Sequence, residues 1–206
     1  MGFIGTPWTL AAYVVEGGSS KECATTKLMM THAPHVLHAL LAHLADALGV
    51  YAVHQADSGA QVIQLFDSWA HHLSPAQFKE FSLPYAERII SHMRVYHPHV
   101  PLIFHANGSA GKEHLVAECS ADVMGLDWAT DIGETRKRFG PKRVLQGNVD
   151  PQVLFGPETA IRAAVSDCIA AAGRHHILNV GHGVAQGTPE ANVALFCDLA
   201  RASTFA

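Results

Sequence analysis

The sequence carries little charge of either sign, which limits the partners it suits. Charged residues make up 16% of the 206 residues, and the formal net charge is −4. Binding to a nucleic acid or to an anionic membrane surface depends on clustered Lys and Arg that release counterions. No zinc-finger or basic-region pattern occurs. We therefore expect no nucleic-acid partner, and no uncharged apolar run is long enough to predict a membrane span.

Cysteine is scarce as well, and its spacing produces no CxxC pair. The four residues are Cys23, Cys119, Cys168 and Cys197. We expect buried thiols in a reducing compartment. Signals for nucleotide binding are also missing, because no GxGxxG or GxxxxGK[ST] follows a strand-like segment. The N-terminus has the pattern of neither a signal peptide nor a transit peptide.

Apolar residues, in contrast, are abundant and form alternating strand-like and helical segments. At 49% hydrophobic, the chain can bury a sizeable core, and we expect a single domain over residues 1–206. Short continuous apolar runs are typical of parallel strands covered on both faces. Strands are predicted at Met1–Gly5, Gln61–Phe66, Pro101–Phe104, Asp122–Leu126, Arg143–Leu145 and His176–Val180. Helices are predicted at Ser20–Leu48, Pro75–Val95, Leu115–Cys119, Glu158–Ala172 and Pro189–Arg201.

Polar residues follow the predicted strands where each one ends. They are Asp67 and Ser68, His105 and Asn107, Asp127, Gln146 and Asn148, and Asn179 and His182. In a (β/α)8 barrel such positions line the mouth of the active site. A barrel needs eight strands and about 250 residues, whereas this chain supplies about six βα units. Either the sheet is open or the first units are absent, and a sequence that begins directly at a strand favours an incomplete (β/α)8 barrel.

Eight short motifs are spread over nearly the whole chain. Four are the most distinctive: GFIGTPWTL (Gly2 to Leu10), QLFDSW (Gln64 to Trp69), QGNVDP (Gln146 to Pro151) and NVGHG (Asn179 to Gly183). The others are VVEGGSS (Val14 to Ser20), SGAQ (Ser58 to Gln61), GLDW (Gly125 to Trp128) and GTPE (Gly187 to Glu190). In this order they resemble the uroporphyrinogen decarboxylase family, and together they are highly specific.

The resemblance implies a fold, a reaction and an assembly. Members of this family are single (β/α)8 barrels that form homodimers and use no cofactor. They are carboxy-lyases of haem and chlorophyll biosynthesis, which convert uroporphyrinogen III to coproporphyrinogen III by removing CO2 from four acetate side chains. The segments His54 to Trp69 and Val180 to Glu190 resemble plastid or cyanobacterial members. This implies the chloroplast stroma for a plant or algal protein and the cytoplasm otherwise.

The reaction dictates what the site needs. Loss of CO2 from a pyrrole acetate requires protonation of the ring, so the enzyme needs a proton donor, an anion near the pyrrole N–H groups and cations for the substrate carboxylates. By resemblance, Tyr13, Ser68 and His182 match positions that bond substrate carboxylates, and Phe3 matches an apolar pocket wall. The family's arginines, in a motif reading RQAGRY, and its pyrrole-binding aspartate have no match here, so catalytic residues stay unassigned.

Other acidic residues and the histidines have simpler interpretations. Asp67, Asp127 and Asp150 lie near strand ends, and we interpret them as hydrogen-bonded structural acids. Fifteen histidines invite a metal site, but none matches HExxH or a CxxC-bearing pattern, so we expect solvated histidines and no metal. The closest spacings are His32, His35 and His38, and the pairs His71–His72, His97–His99 and His175–His176.

Two alternative functions stay open. Zinc-dependent corrinoid and coenzyme M methyltransferases resemble this barrel family, but they use His-x-Cys where this chain has His105-Ala106-Asn107-Gly108. The thiolate that would bind zinc is therefore missing. The other alternative is a non-catalytic paralogue that keeps part of a porphyrinogen pocket. The missing arginines favour it, whereas Tyr13, Ser68 and His182 favour part of a working enzyme.

We predict that the 206-residue polypeptide alone has little or no decarboxylase activity, because nothing in it matches the family's arginines or its pyrrole-binding aspartate. The measurement is coproporphyrinogen formed from uroporphyrinogen III by the purified chain, with a full-length relative as the positive control. Turnover at the rate of that control would contradict the prediction.

Overall fold

A computed structural model describes residues 1–203 of the chain. Two compact units are present, Met1–Asp122 and a second that begins at Val123. Each unit contains three parallel strands and the helices that connect them. The predicted α/β class with six parallel strands is therefore confirmed, and the single domain over residues 1–206 stays a prediction.

The strands of the first unit pair in chain order. They are β1 (Gly2–Gly5), β2 (Ile63–Asp67) and β3 (Leu102–Ala106), with Ile4 opposite Leu65 and Leu65 opposite Phe104. All five residues of β3 are buried. This burial explains the continuous apolar runs, because a parallel strand is covered on both faces. Apart from the buried Gln64 within β2, the polar side chains of these strands, Asp67 and His105, lie at or next to the strand ends.

The helices of the first unit differ in places from the prediction. They are α1 (Pro7–Glu16), α2 (Ala24–His32), α3 (Pro34–Asp57), α4 (Pro75–Phe81), α5 (Leu83–Tyr96) and α6 (Glu113–Glu118), with a 3-10 turn at Ala70–His72. The single helix expected at Ser20–Leu48 is wrong. Pro34 disfavours helical geometry at Ala33, so one helix ends there and another begins. Likewise, Pro75–Val95 is two helices that meet at Ser82.

Helix α1 was not predicted, although its start carries a clear signal. The Thr6 hydroxyl accepts a hydrogen bond from the Thr9 backbone N–H, and Pro7 occupies the first helical position. Threonine caps followed by proline are favoured at helix starts. Gly17 ends the helix in the left-handed region, with φ of 74°. This helix carries Tyr13, one of the predicted substrate-binding residues.

Helix α3 has the length and composition of a membrane span, with a mean hydropathy of 1.6 in its most apolar window. No other helix among residues 1–203 meets both criteria. Its inner side is buried in the first unit at Leu37, Leu41 and Ala45. Asp46 interrupts the apolar run and pairs with Arg88 of α5 at 2.6 and 2.7 Å. Of that most apolar window, 33% is buried inside the protein, and its length and composition are the only features that match a membrane span.

The second unit repeats the alternation with shorter strands. It contains β4 (Val123–Gly125), β5 (Val144–Gln146), β6 (His176–Ile177), α7 (Ile132–Phe139), α8 (Glu158–Ala172), α9 (Glu190–Ala202) and a 3-10 turn at Pro151–Phe155. The strand predicted at His176–Val180 is thus too long. Beyond Ile177 the pairing continues only as one parallel bridge between Val149 and Val180. Helix α7 was also not predicted.

Arg136 of α7 forms hydrogen bonds to the loops that precede β5 and β6. Its guanidinium donates to four backbone carbonyl oxygens, those of Gly140, Arg143, Ala172 and His175, at 2.5 to 3.0 Å. These carbonyls belong to the segments that precede the two strands and to the end of α8. A planar guanidinium can serve several acceptors at once, which a lysine ammonium cannot do in the same geometry.

The cysteines follow the prediction with one exception. Cys23, Cys119 and Cys168 are buried, and burial raises the pKa of the Cys168 thiol. Cys197 is exposed on α9, so the expectation of four buried thiols is wrong there. The reason is the amphipathic character of a helix on the outside of a unit, whose polar face reaches solvent. No disulfide occurs among these four residues.

We predict that Arg136→Lys lowers the free energy of unfolding by about 2 kcal/mol, because hydrogen bonds from a charged group to partly buried carbonyls are lost. Arg138→Lys is the matched control, since Arg138 lies on the same helix and is exposed. Urea unfolding of both variants measures the difference. Equal midpoints for the two variants would show that the guanidinium network adds nothing to stability.

Candidate functional site

In the first unit, the polar groups predicted at the strand ends come together beside Ser68. The Ser68 carbonyl oxygen accepts a hydrogen bond from the Asn107 side-chain amide at 3.1 Å, and His71 Nδ1 lies 3.1 Å from the same oxygen. Asn107 follows β3, and its backbone N–H donates to the Asp67 carbonyl at 3.0 Å. No hydrogen bond to the Ser68 hydroxyl occurs within residues 1–203, so the hydroxyl is available to a ligand.

Tyr13 lies in the same cluster as Ser68. Its side chain is 40% exposed, and its ring contacts Trp69 edge to face, with 5.6 Å between centroids. Trp69 is itself held, because its carbonyl accepts a hydrogen bond from the indole N–H of Trp8 at 3.1 Å. Trp8 is completely buried. The structure therefore brings Tyr13 and Ser68 together through the residue that follows Ser68.

Phe3 lies on β1 with its side chain on the exposed side of the strand. It is 64% exposed and contacts Phe66 of β2 edge to face, with 6.2 Å between ring centroids. Its neighbour Ile4 points into the core and is 3% exposed. The alternation follows from the period-two geometry of a strand. Phe3 and Phe66 together form an apolar surface on this unit.

Unlike the Ser68 hydroxyl, the Asp67 carboxylate has hydrogen-bond partners within residues 1–203. The carboxylate is fully buried and accepts hydrogen bonds from the hydroxyl of Thr9, at 2.9 Å, and from that of Ser82. Burial raises the pKa of this carboxyl, while the hydroxyl partners and the nearby Lys112 ammonium oppose the rise. The structural role predicted for Asp67 agrees with these contacts.

In the second unit, His182 lines an open cavity of about 400 Å³. The His182 side chain is exposed, and its Nδ1 accepts a hydrogen bond from the Gly183 N–H at 2.5 Å. The other lining residues are Trp128, Asp150, Pro151, Gln152, Gly183, Val184 and Ala185. The cavity thus combines an imidazole, a carboxylate and an indole surface.

The position of His182 depends on the glycine before it. Gly181 donates to the Val149 carbonyl at 2.9 Å and accepts from the Trp128 N–H at 3.2 Å. A Cβ at Gly181 would overlap the backbone nitrogen and Cα of Trp128. Only glycine allows the two backbones to approach so closely. The GHG sequence therefore places the imidazole beside the Trp128 loop.

Two other residues near strand ends of the second unit form hydrogen bonds to the backbone of a neighbouring loop. The Asn148 side-chain amide donates to the carbonyl oxygens of Asp127 and Thr130, at 2.8 and 2.6 Å. The Asp127 carboxylate accepts from the Ala129 N–H at 2.9 Å. These bonds shape the loop that carries Trp128. Sequence reasoning missed Trp128 and Asp150 as cavity residues, although GLDW and QGNVDP both drew attention to their segments.

The histidines do not assemble a metal site in the part of the chain that the structure describes, where no group of three or more suitable ligands occurs. The expectation that they are simply solvated is wrong for some. His38 Nδ1 lies 2.6 Å from the Tyr85 hydroxyl, and its ring stacks on Phe81. His97 lies 2.8 Å from the Asp57 carboxylate. Helix–helix packing thus uses these imidazoles as polar partners.

Comparison with known proteins identifies relatives that match nearly the whole chain. The family described as uroporphyrinogen decarboxylase (URO-D) matches residues 1–203. The uroporphyrinogen decarboxylase of Crocosphaera subtropica is 46% identical over 202 residues, which are 98% of this chain and 57% of the relative. The chloroplastic uroporphyrinogen decarboxylase of Nicotiana tabacum is 48% identical over 202 residues, 98% of this chain and 52% of the relative. The chain spans just over half the length of these relatives.

A solved structure shows the same fold at low sequence identity. It is a methyltransferase from Methanosarcina mazei, with a TM-score of 0.81 and 21% identity over 96% of this chain and 57% of that one. At this identity the likeness concerns the fold alone. It confirms the fold class predicted from the sequence, an α/β chain with part of the (β/α)8 barrel architecture.

We predict that Gly181→Ala lowers the free energy of unfolding by about 3 kcal/mol, because the added methyl group overlaps backbone that cannot move aside cheaply. Gly183→Ala is the matched control, since no atom lies within 4 Å of a Cβ at that position. It should stay within about 0.5 kcal/mol of the unmodified chain. Urea unfolding measures both, and a neutral Gly181→Ala would contradict the close approach to Trp128.

Proposed function

The chain belongs to the uroporphyrinogen decarboxylase family, and on that premise we propose that the protein acts in the conversion of uroporphyrinogen III to coproporphyrinogen III. The observation that carries the proposal is the 46–48% identity to decarboxylases over 98% of the chain. Both substrate and product are polycarboxylates, so a binding site for them needs several hydrogen-bond donors. The reaction releases CO2 from the acetate side chains and leaves the tetrapyrrole skeleton intact.

Tyr13 and Ser68 are proposed to bind substrate carboxylates in the first unit. The Tyr13 ring contacts Trp69, Ser68 directly precedes Trp69, and no hydrogen bond to the Ser68 hydroxyl occurs within residues 1–203. A hydroxyl that donates to a carboxylate forms a charge-assisted hydrogen bond, which is stronger than one between neutral groups. Phe3, together with Phe66, is proposed to contact the apolar edge of a pyrrole ring.

His182 is proposed to bind a further carboxylate in the second unit. Its Nδ1 accepts from the Gly183 N–H, which places the ring proton of a neutral imidazole on Nε2. That nitrogen can then donate to a substrate carboxylate. The Trp128 side chain is 49% exposed and lines the same cavity, so it offers an aromatic surface next to the imidazole. The Asp150 carboxylate caps the following turn by accepting from the Gln152 N–H at 2.8 Å.

The chain contributes substrate binding rather than the whole reaction. No residue here matches the family's RQAGRY arginines or its pyrrole-binding aspartate. The proton donor is therefore unassigned, and catalytic roles are not given to Tyr13, Ser68 or His182. A porphyrinogen-binding paralogue without decarboxylase activity is the second candidate, favoured by the same missing arginines. The two are separated by CO2 release in the presence of bound porphyrinogen.

Assembly and compartment are proposed by analogy with the family. We propose a homodimer that uses no cofactor. Among the relatives, the Crocosphaera subtropica enzyme is cyanobacterial, and those of Nicotiana tabacum and Arabidopsis thaliana are described as chloroplastic. A plant or algal source would place this protein in the chloroplast stroma, and another source would place it in the cytoplasm.

Variants at the three proposed donors test the carboxylate contacts. We predict that Tyr13→Phe, Ser68→Ala and His182→Asn each weaken binding of uroporphyrin III, the stable oxidised form of the substrate, by about tenfold, the loss expected for a hydrogen bond to a charged group. Fluorescence titration of the purified chain measures the dissociation constants. Tyr51→Phe is the matched control, because Tyr51 is 52% exposed on α3. If the three site variants bound uroporphyrin III as tightly as the Tyr51→Phe control, the site assignment would fail.

A further inference from the structure

Within the unit Met1–Asp122, we infer that Asp67 is a positioning residue whose buried carboxylate fixes the spacing between the hydroxyls of Tyr13 and Ser68. The inference rests on the proposed function, in which these two hydroxyls bind substrate carboxylates. It adds a role for a residue that would not itself touch the substrate. The argument depends on how the carboxylate joins the two segments that carry Tyr13 and Ser68.

The first link runs from Asp67 to helix α1. The Thr9 hydroxyl donates to the Asp67 carboxylate at 2.9 Å, and both residues are buried. Thr9 and Tyr13 are four residues apart on α1, which places them on one face of the helix, a turn apart. Ser68 directly follows Asp67. One hydrogen bond therefore ties the helical turn below Tyr13 to the residue that precedes Ser68.

The second link uses the same hydroxyl. Thr9 Oγ1 also lies 3.4 Å from the Trp69 backbone N–H, which donates to it. Trp69 in turn supports the Tyr13 ring through the edge-to-face contact at 5.6 Å. The Thr9 hydroxyl thus joins three groups: the carboxylate before Ser68, the backbone after Ser68, and the helix of Tyr13.

The opposite side of the carboxylate is anchored to elements that do not carry Tyr13. Ser82, between α4 and α5, donates its hydroxyl to the second carboxylate oxygen. The Lys112 ammonium donates to the carbonyl oxygens of Ala70 and Leu73, at 3.0 and 2.9 Å, and attracts the Asp67 charge. The segment after Ser68 is therefore held against the body of the unit.

Burying a carboxylate in the core costs desolvation free energy. Burial raises the pKa of Asp67, which means that the fold disfavours its charge, and an apolar side chain of similar size would avoid that cost. A carboxylate with directed hydrogen bonds does something that an apolar side chain cannot, because it fixes distances between the groups it joins. Substrate carboxylates that must meet two hydroxyls at once need such a fixed distance.

Two variants separate positioning from stability. Thr9→Val and Ser82→Ala each remove one hydroxyl that donates to Asp67, but of the two only Thr9→Val removes a link to the helix that carries Tyr13. The Thr6 hydroxyl, which also bonds to Asp67, is kept in both variants. Thr9→Ser keeps the hydroxyl and is the conservative rescue. We expect both hydroxyl-free variants to lower the urea midpoint, and Thr9→Ser to stay near the unmodified chain.

The deciding readouts are structural and functional. The ring-current shift that Trp69 imposes on the Tyr13 ring protons, measured by NMR without ligand, should fall by about half or more in Thr9→Val and persist in Ser82→Ala. Uroporphyrin III binding should weaken about fivefold to tenfold in Thr9→Val and less than about twofold in Ser82→Ala and Thr9→Ser.

An unchanged ring-current shift in Thr9→Val, or equal losses in Thr9→Val and Ser82→Ala, would overturn the positioning role and leave Asp67 as a stability residue only. If the unmodified chain does not bind uroporphyrin III, the proposed function fails, and the ring-current comparison still decides whether the Thr9 hydroxyl, which links Asp67 to α1, sets the position of Tyr13.

Discussion

Parallel strands that are covered on both faces are mainly apolar along their length, so most polar side chains lie where the strands end. This constraint organises both units of the protein. In the first unit, the buried runs Ile63–Asp67 and Leu102–Ala106 are followed directly by Ser68 and Asn107. In the second unit, Val123–Gly125 is followed by Leu126 and then by Asp127 and Trp128. The chemistry of the site is therefore concentrated in short loops, while the strands themselves supply a rigid base.

The loop after β2 and the GHG segment are stabilised by different physical interactions. In the first unit the buried Asp67 carboxylate connects β2 to α1 and to Ser82 through hydroxyl groups. In the second unit the close backbone approach of Gly181 to Trp128 sets the direction of the GHG segment. One interaction is electrostatic and the other is steric, yet both fix the backbone next to a proposed ligand group. The exposed residues Tyr13 and His182 can thus be held in place without being buried.

The sequence predicted the fold class and most strand positions, because buried parallel strands leave an unmistakable apolar pattern. It did not predict the breaks at Ala33 and Ser82, where prolines interrupt tracts whose periodicity is otherwise helical. Tyr13, Ser68 and Phe3 came from resemblance, since their residue types alone suggest nothing unusual. For His182 the glycines on either side, just after a strand, already favoured a ligand-facing side chain. The Thr9–Asp67 bond joins residues 58 positions apart, and local patterns contain no information about such a pairing.

Chemical-shift mapping by NMR tests the central claim most directly, that the strand ends bind a tetrapyrrole polycarboxylate. On addition of uroporphyrin III, the account predicts shifts concentrated at Tyr13, Ser68, Trp69 and His182. The contrasting region is a different cavity, which lies in the first unit and has a volume of about 540 Å³. It lies before the strands and is lined by Asp57, Gln61, His97 and Val100 among others. Shifts confined to that cavity, or none at saturating porphyrin, would contradict the account.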